Sequence, residues 1–197
     1  MKFRSSKMLA LAIILSIATP TTAYAKSEKT TQTMTYDVYA GGIHALNAKL
    51  AITSDDKEYE ITLSSKTRGF LKTLAPWAGV FSTTGIFDKD KHPFPKKHAS
   101  ISTWKSSTEE KKYTYNGQGN FKSYNVSETK KDKDPVDKTP QDLDPEISKG
   151  TTDVLSATYQ LLLALPQTKS CTGDSLIFDG DRSFKLVFKE TNAETLK

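Results

Sequence analysis

Alternation of apolar and polar residues with a period of two dominates the chain. Met34, Tyr36, Val38 and Ala40 alternate with Thr35, Asp37 and Tyr39, and after Gly41-Gly42 the residues Leu46, Ala48, Leu50 and Ile52 alternate with Asn47 and Lys49. Because successive side chains of a strand point to opposite faces, this spacing predicts two strands joined by a glycine turn or bulge. Ser54-Asp55-Asp56-Lys57 is turn chemistry leading to a third strand, with Tyr59, Ile61 and Leu63 on its inner face. Further strands are predicted at about 80–88, 98–105, 111–116 and 121–127, the last two joined through Asn116-Gly117. Ser175 to Asp179 and Ser183 to Lys189 then form a hairpin through Asp179-Gly180-Asp181. Strands at this spacing make an antiparallel sheet that curls toward a barrel.

Three segments interrupt the meander. In Gly69 to Phe81 (GFLKTLAPWAGVF), Phe70, Leu71, Leu74 and Trp77 fall at helical spacing and Pro76 limits the helix. A segment this apolar should cover an edge or mouth of the sheet, either as a plug or as a hydrophobic gate of Phe70, Leu71, Leu74, Trp77 and Phe81 through which an acyl chain enters. The second segment, about 129–149, packs a run of alternating charges and three prolines into a polar excursion. The third, Thr151 to Leu165 (TTDVLSATYQLLLAL), is a helix with Thr152 or Asp153 as N-cap and Pro166 as terminator. Asp153 is its only charged residue, so contact with one flat surface could not hide its apolar side chains. The expected fold is therefore mainly β: a curled antiparallel sheet, a half-open barrel, enclosing one long apolar helix.

The first 25 residues change the picture of where this domain works. Lys2, Arg4 and Lys7 precede the apolar run Met8 to Ala18, and Ala23-Tyr24-Ala25 is a small-residue cleavage site, so residues 1–25 read as a signal peptide cut after Ala25. The expected address is the periplasm, with residues 26–197 as one β-rich domain. No later apolar run approaches the ~20 residues of a membrane helix. Removing the signal takes three of 28 basic residues and none of the 23 acidic ones, which lowers the formal net charge of +5 by three. The remaining lysines are scattered among carboxylates, and nucleic-acid binding is excluded for want of a clustered basic face.

Candidate chemistry is thin. His92 and His98 sit in HPFPKKH, which reads as an exposed turn into a strand, and Asp88 or Asp90 would have to complete any metal site there. They are expected to be surface histidines, and no metal or cofactor is expected. His44, on the face of Leu46, is expected to be hydrogen-bonded and partly buried. Tyr59, Phe87, Phe178 and Phe184 occupy inward strand positions and are expected in the core. Ser156 lacks the flanking glycines of a nucleophile elbow, and Cys171 has no His or Asn in a recognisable motif. The chain carries no catalytic signature and is expected not to be an enzyme.

The segments YDVYAGGIHALNAKLAI, SSKTRGFLKTLAPWAGVFSTTGIFD, TTDVLSATYQLLLAL and CTGDSLIFDGDRSFKLVF together resemble the bacterial envelope family catalogued as domain of unknown function 3108. The resemblance implies an exported protein with a curled sheet around a helix, similar in outline to periplasmic lipoprotein carriers of the LolA and LolB type, and a hydrophobic concavity. Related sequences usually continue with further strands and a second cysteine. The resemblance therefore also implies a chain continuing past Lys197 and a disulfide between Cys171 and a partner absent from this sequence. The expected function is non-enzymatic binding or transport of a lipid-like or acyl ligand in the cell envelope. The alternative is a structural or assembly factor acting through an envelope protein or peptidoglycan.

Overall fold

The structure is a computed structural model and describes residues 28–190; the expected signal peptide lies outside the described residues. The meander is realised as β1 (Thr30–Ala40), β2 (Ile43–Ser54), β3 (Glu58–Thr67), β4 (Trp77–Phe87), β5 (Pro93–Trp104), β6 (Ser107–Tyr115), β7 (Phe121–Lys130) and the short β8 (Val136–Asp137). Each strand pairs antiparallel with the next, giving one eight-stranded sheet in sequence order. β9 (Gly173–Phe178) and β10 (Ser183–Phe188) form a separate hairpin. Among the described residues three helices accompany the strands: α1 (Gly69–Leu74), α2 (Pro145–Ser148) and α3 (Val154–Thr168).

Register decides which residues share a face, because directly opposed residues point the same way. Met34 opposes Leu50, Leu50 opposes Leu63, Leu63 opposes Phe81, and Phe81 opposes Ser100. This row and its neighbours two residues away form the inner face. One core cluster joins Ile52, Tyr59 and Ile61 of the sheet to Leu155 and Tyr159 of α3. A second joins Tyr113, Tyr115, Tyr124 and Val126 to Phe178 of the hairpin. Gly85 is required by a close approach: a Cβ there would lie 2.3 Å from the ring of Tyr59 and 2.4 Å from the carbonyl oxygen of Phe94.

The sheet is not closed into a barrel: among the described residues β1 pairs only with β2, and β8 only with β7. Nor does the sheet enclose α3 along its length. Its buried residues are Leu155, Ser156, Ala157 and Tyr159, all in its first half, whereas Val154, Leu162 and Leu163 are exposed. The cause is how the helix is fastened. Its entry is held by Thr152 N–H donating to the Leu176 carbonyl and by the Asp153 cap, and farther along Gln160 Nε2 reaches the Pro93 carbonyl. The open sheet has no far wall to meet the remaining leucines. Pro166 stands inside the last turn instead of ending the helix, which runs to Thr168 and closes with Lys169 in the left-handed conformation. A proline there removes one backbone donor and clashes with one upstream carbonyl, a smaller disruption near the end than at the centre.

The turn expected around HPFPKKH is displaced toward the N-terminus, to Asp88–His92, and β5 begins at Pro93. Prolines fit because residues before Lys97 pair with β4 alone, while β6 joins only from Lys97 onward. Among the described residues no helix is long and apolar enough to cross a membrane.

Candidate functional site

The inner face, the start of α3 and the β9–β10 hairpin surround a cleft of about 430 Å³. One wall is apolar: Leu63 and Phe81 from β3 and β4, Leu155 from α3, and Ile177, Phe178 and Phe184 from the hairpin. The other is a polar stripe of His98, Ser100 and Ser102 on β5, continued by Glu109, Lys111 and Tyr113 on β6. Alternation places the β5 groups on one side of the sheet about 7 Å apart. Cross-strand pairing sets Lys111 opposite Ser100 and Glu109 opposite Ser102.

At the floor lies a buried polar chain. Asp153 caps α3, its Oδ1 accepting the backbone N–H of Ser156 at 3.0 Å. The same oxygen accepts the hydroxyl of Thr83 at 2.8 Å and stands 3.4 Å from His98 Nδ1. Thr83 Oγ1 and His98 Nδ1 are 2.8 Å apart. A threonine hydroxyl has one proton, and a carboxylate can only accept. The proton of Thr83 therefore goes to Asp153, and Thr83 must accept from His98, which fixes the imidazole as the tautomer with hydrogen on Nδ1.

His98 Nε2 is then a bare acceptor. It has no hydrogen-bond partner among the described residues, and it is not one of the polar atoms sealed from solvent. Burial lowers the pKa of His98 below its ordinary 6.5, against an opposing pull from the Asp153 charge, so the ring is neutral near pH 7. The His98 side chain is 12% exposed and that of Asp153 only 2%. Asp153 Oδ2 is buried without a partner, a costly arrangement for a carboxylate whose capping role alone would not require burial. Burial also drives the phenols of Tyr59 and Tyr113 far above their ordinary range, so both remain protonated donors. Tyr113 donates to the Asp179 carbonyl at 2.9 Å, and Tyr59 is 3.1 Å from the Ser156 hydroxyl.

Chemically, the chain running from His98 through Thr83 to Asp153 fixes the ring of a cleft-lining histidine and leaves its Nε2 as an unpaired acceptor. Among the described residues no hydroxyl or thiol is hydrogen-bonded to Nε2 as a nucleophile would be. Ser156 is occupied by Tyr59.

The five residues expected to form a gate are divided. Phe81 lines the cleft, and Trp77 borders it, its Nε1 donating to Ser102 at 2.8 Å. Both belong to β4 and not to a helix. Phe70, Leu71 and Leu74 lie on α1, where no residue is buried, and Phe70 is 66% exposed. Phe184, expected in the core, is partly exposed and lines the cleft. Cys171 is exposed.

His98 was expected at the surface, and the structure buries it. It falls two residues before Ser100 on the inner face, and its position in that alternation was the available signal. Asp153 was recognisable as a cap but not as a partner of His98, because its neighbours Thr83 and His98 are 70 and 55 positions away in sequence. The other histidines behave differently. His44 is half-buried beside Asp37, with its Nε2 3.3 Å from the carboxylate, and it stacks on Tyr39. His92 gathers with Asp88 and Asp90 at the β4–β5 turn. There Asp88 Oδ1 accepts the N–H groups of His92 and Asp90, which lowers its pKa, and Oδ2 lies 3.2 Å from His92 Nδ1. Turn geometry accounts for that group.

No curated protein and no solved structure matches the chain, so the outline similarity to lipoprotein carriers finds no structural neighbour. The model of one family, described as a protein of unknown function (DUF3108), matches residues 35–197, which include every strand after β1, all three helices and the whole cleft. The chain belongs to the DUF3108 family.

Proposed function

We propose that this protein is an exported, non-enzymatic binding or carrier protein for a lipid-like or acyl ligand of the bacterial cell envelope. The observation that carries this reading is the cleft itself. Its volume is that of a small-ligand site, one wall is continuous apolar surface, and a few polar groups stand along the other. An acyl chain laid against Leu63, Phe81, Leu155, Ile177 and Phe184 gains about 0.8 kcal/mol per buried methylene, so partial enclosure suffices for useful affinity. The basic start, apolar run and cleavage site of residues 1–25 support export to the periplasm.

The gate enters this reading in modified form. Trp77 and Phe81 flank the cleft, and the exposed α1 side chains Phe70 and Leu74 offer the apolar surface that a ligand first meets.

Native mass spectrometry of the protein purified from its own periplasm tests the proposal. The expected result is a co-purified lipid whose mass adduct disappears on delipidation, with saturable quenching of Trp77 fluorescence when lipid is returned. A ligand-free protein with no fluorescence response to any lipid would leave the alternative, an assembly factor using its polar 129–149 segment against a protein or peptidoglycan.

A further inference from the structure

We propose that His98 Nε2 is the recognition point for a hydroxyl headgroup, so that the cleft takes an uncharged hydroxyl-bearing acyl ester, of the monoacylglycerol type, in preference to an anionic lipid. This rests on the acyl-binding reading above and adds what the polar end of the ligand must be.

The first support is the direction of the hydrogen bonds. Asp153 can only accept, Thr83 donates to it, and His98 therefore donates to Thr83 through Nδ1. Nε2 is left as an acceptor with solvent access, so its ligand partner must be a donor. A hydroxyl qualifies; an ionised carboxylate or phosphate diester does not.

Charge gives the second. Three carboxylates belong to residues that line the cleft: Glu109, Asp153 and Asp179. Glu109 is matched by Lys111 at 3.4 Å and Asp179 by Arg182 at 3.5 Å. Among the described residues Asp153 has no cationic side chain beside it: its Oδ1 accepts the Thr83 hydroxyl and the Ser156 N–H at the start of α3, and its second oxygen is unpaired. The floor therefore holds a carboxylate that is offset only by hydrogen bonds and the α3 N-terminus and by no cation, which disfavours an anionic headgroup beside it.

The third is the order of groups along β5. Ser102 Oγ accepts the Trp77 indole N–H, which leaves its own hydroxyl proton free to donate, and Ser100 stands between Ser102 and His98 on the same face. An acceptor at His98 with the Ser100 hydroxyl one repeat, about 7 Å, along the strand suits a headgroup hydroxyl followed by an ester carbonyl, and Ser102 stands one repeat beyond, past the ester. The apolar wall of Phe81 and Leu63 runs beside this stripe, where the chain of such an ester would lie.

The test uses the signal-free chain and reads tryptophan fluorescence on titration with three probes: 1-monooleoylglycerol, the same ester with its hydroxyls methylated, and oleate, each below its aggregation concentration. The expected result is that the hydroxyl ester binds about tenfold more tightly than its methylated form, and that oleate binds weakest. In His98→Phe the preference should disappear, the hydroxyl ester and its methylated form then binding alike. The comparison of probes on the unaltered protein holds even if that variant folds poorly. Equal affinity of all three probes, or tighter binding of oleate, overturns the headgroup assignment and leaves acyl binding standing. Absence of saturable binding by any of them overturns acyl binding itself, and the headgroup site with it.

Discussion

At one end of the concave face, Ile52, Tyr59, Ile61 and Thr83 lie beneath the first half of α3, and Tyr113 and Tyr124 meet Phe178 of the hairpin. At the other end, Tyr36, Val38 and Trp104 occupy the same face of the same sheet and are open to solvent, Trp104 being 49% exposed. Both ends obey one alternation. Period-two patterning states that a face is apolar, but it does not state what covers it, since cover comes from elements remote in sequence. The cleft lies where the covered end gives way to the open one, and the polar chain from His98 to Asp153 sits at its floor.

The largest effects should separate the two ends by packing. Ile61→Ala and Leu155→Ala each empty a buried site between sheet and helix and should cost about 2–5 kcal/mol in urea unfolding. Val38→Ala or Trp104→Ala at the open end should cost much less, because their surfaces already meet water. Equal losses at both ends would mean that the open face is covered in solution, by ligand or by another chain.

A smaller effect belongs to the polar floor. Thr83→Val keeps the shape of the side chain but removes the hydroxyl linking His98 to Asp153, and should destabilise the fold by about 1–3 kcal/mol. Thr84→Val, one residue along the same strand and on the other face, is the control and should be near neutral. If both substitutions are silent, the buried chain has no structural role.

Stability should also respond to pH through His98. Its folded pKa lies below its unfolded value near 6.5, because burial disfavours the charged ring. The unfolded chain therefore binds more protons as the pH drops, and folding stability falls. The contribution is fully present above pH 6.5 and is lost as the pH descends from there through the lower folded value, at most about 1.4 kcal/mol per pH unit. The charged and polar groups facing this ring are Asp153, whose pull opposes the shift, Thr83 and Tyr113. Chemical denaturation at pH 7.5 and 5.5 should show a steeper loss for the parent than for His98→Asn; parallel losses would contradict the neutral, Nδ1-protonated ring on which the headgroup site depends.

Much of this organisation was legible in the chain. The alternation of Met34 to Ala40 and Leu46 to Ile52, the Asp55 turn and the Asn116-Gly117 turn gave the strand order, because local chemistry decides strands and turns. Trp77 reads at helical spacing with Phe70, Leu71 and Leu74, since a short apolar run satisfies both periods; the strand expected from about 80 in fact begins at Trp77, directly after Pro76. The cleft's apolar wall was visible only as scattered inward residues. Its polar floor was not visible as a unit, because Thr83, His98 and Asp153 meet only after two strands have been set in register and a helix docked on them.

The smallest expected effect bears on how α3 was read. A helix with one charged residue among so many leucines argues for enclosure on all sides, and on that argument Leu162→Asp should be ruinous. The open sheet leaves Leu162 43% exposed, and a carboxylate there can keep its water. The expected cost is therefore within about 0.5–1 kcal/mol, the range of surface substitutions plus lost partial burial. Leu155→Asp, one end of the helix away and packed against Tyr59 and Ile61, should abolish folding in the same assay. The leucines left in water at 162 and 163 continue from the same helix whose first turns line the cleft, so a bound acyl chain that extended past Leu155 would find them next. Leu162→Asp thus has a second readout. If it leaves stability nearly untouched but weakens lipid binding, the exposed half of α3 belongs to the ligand; if it leaves both unchanged, the ligand stays within the covered end. A loss of several kcal/mol would instead show that α3 is buried along its whole length, and the contrast between the two ends of the face would fail.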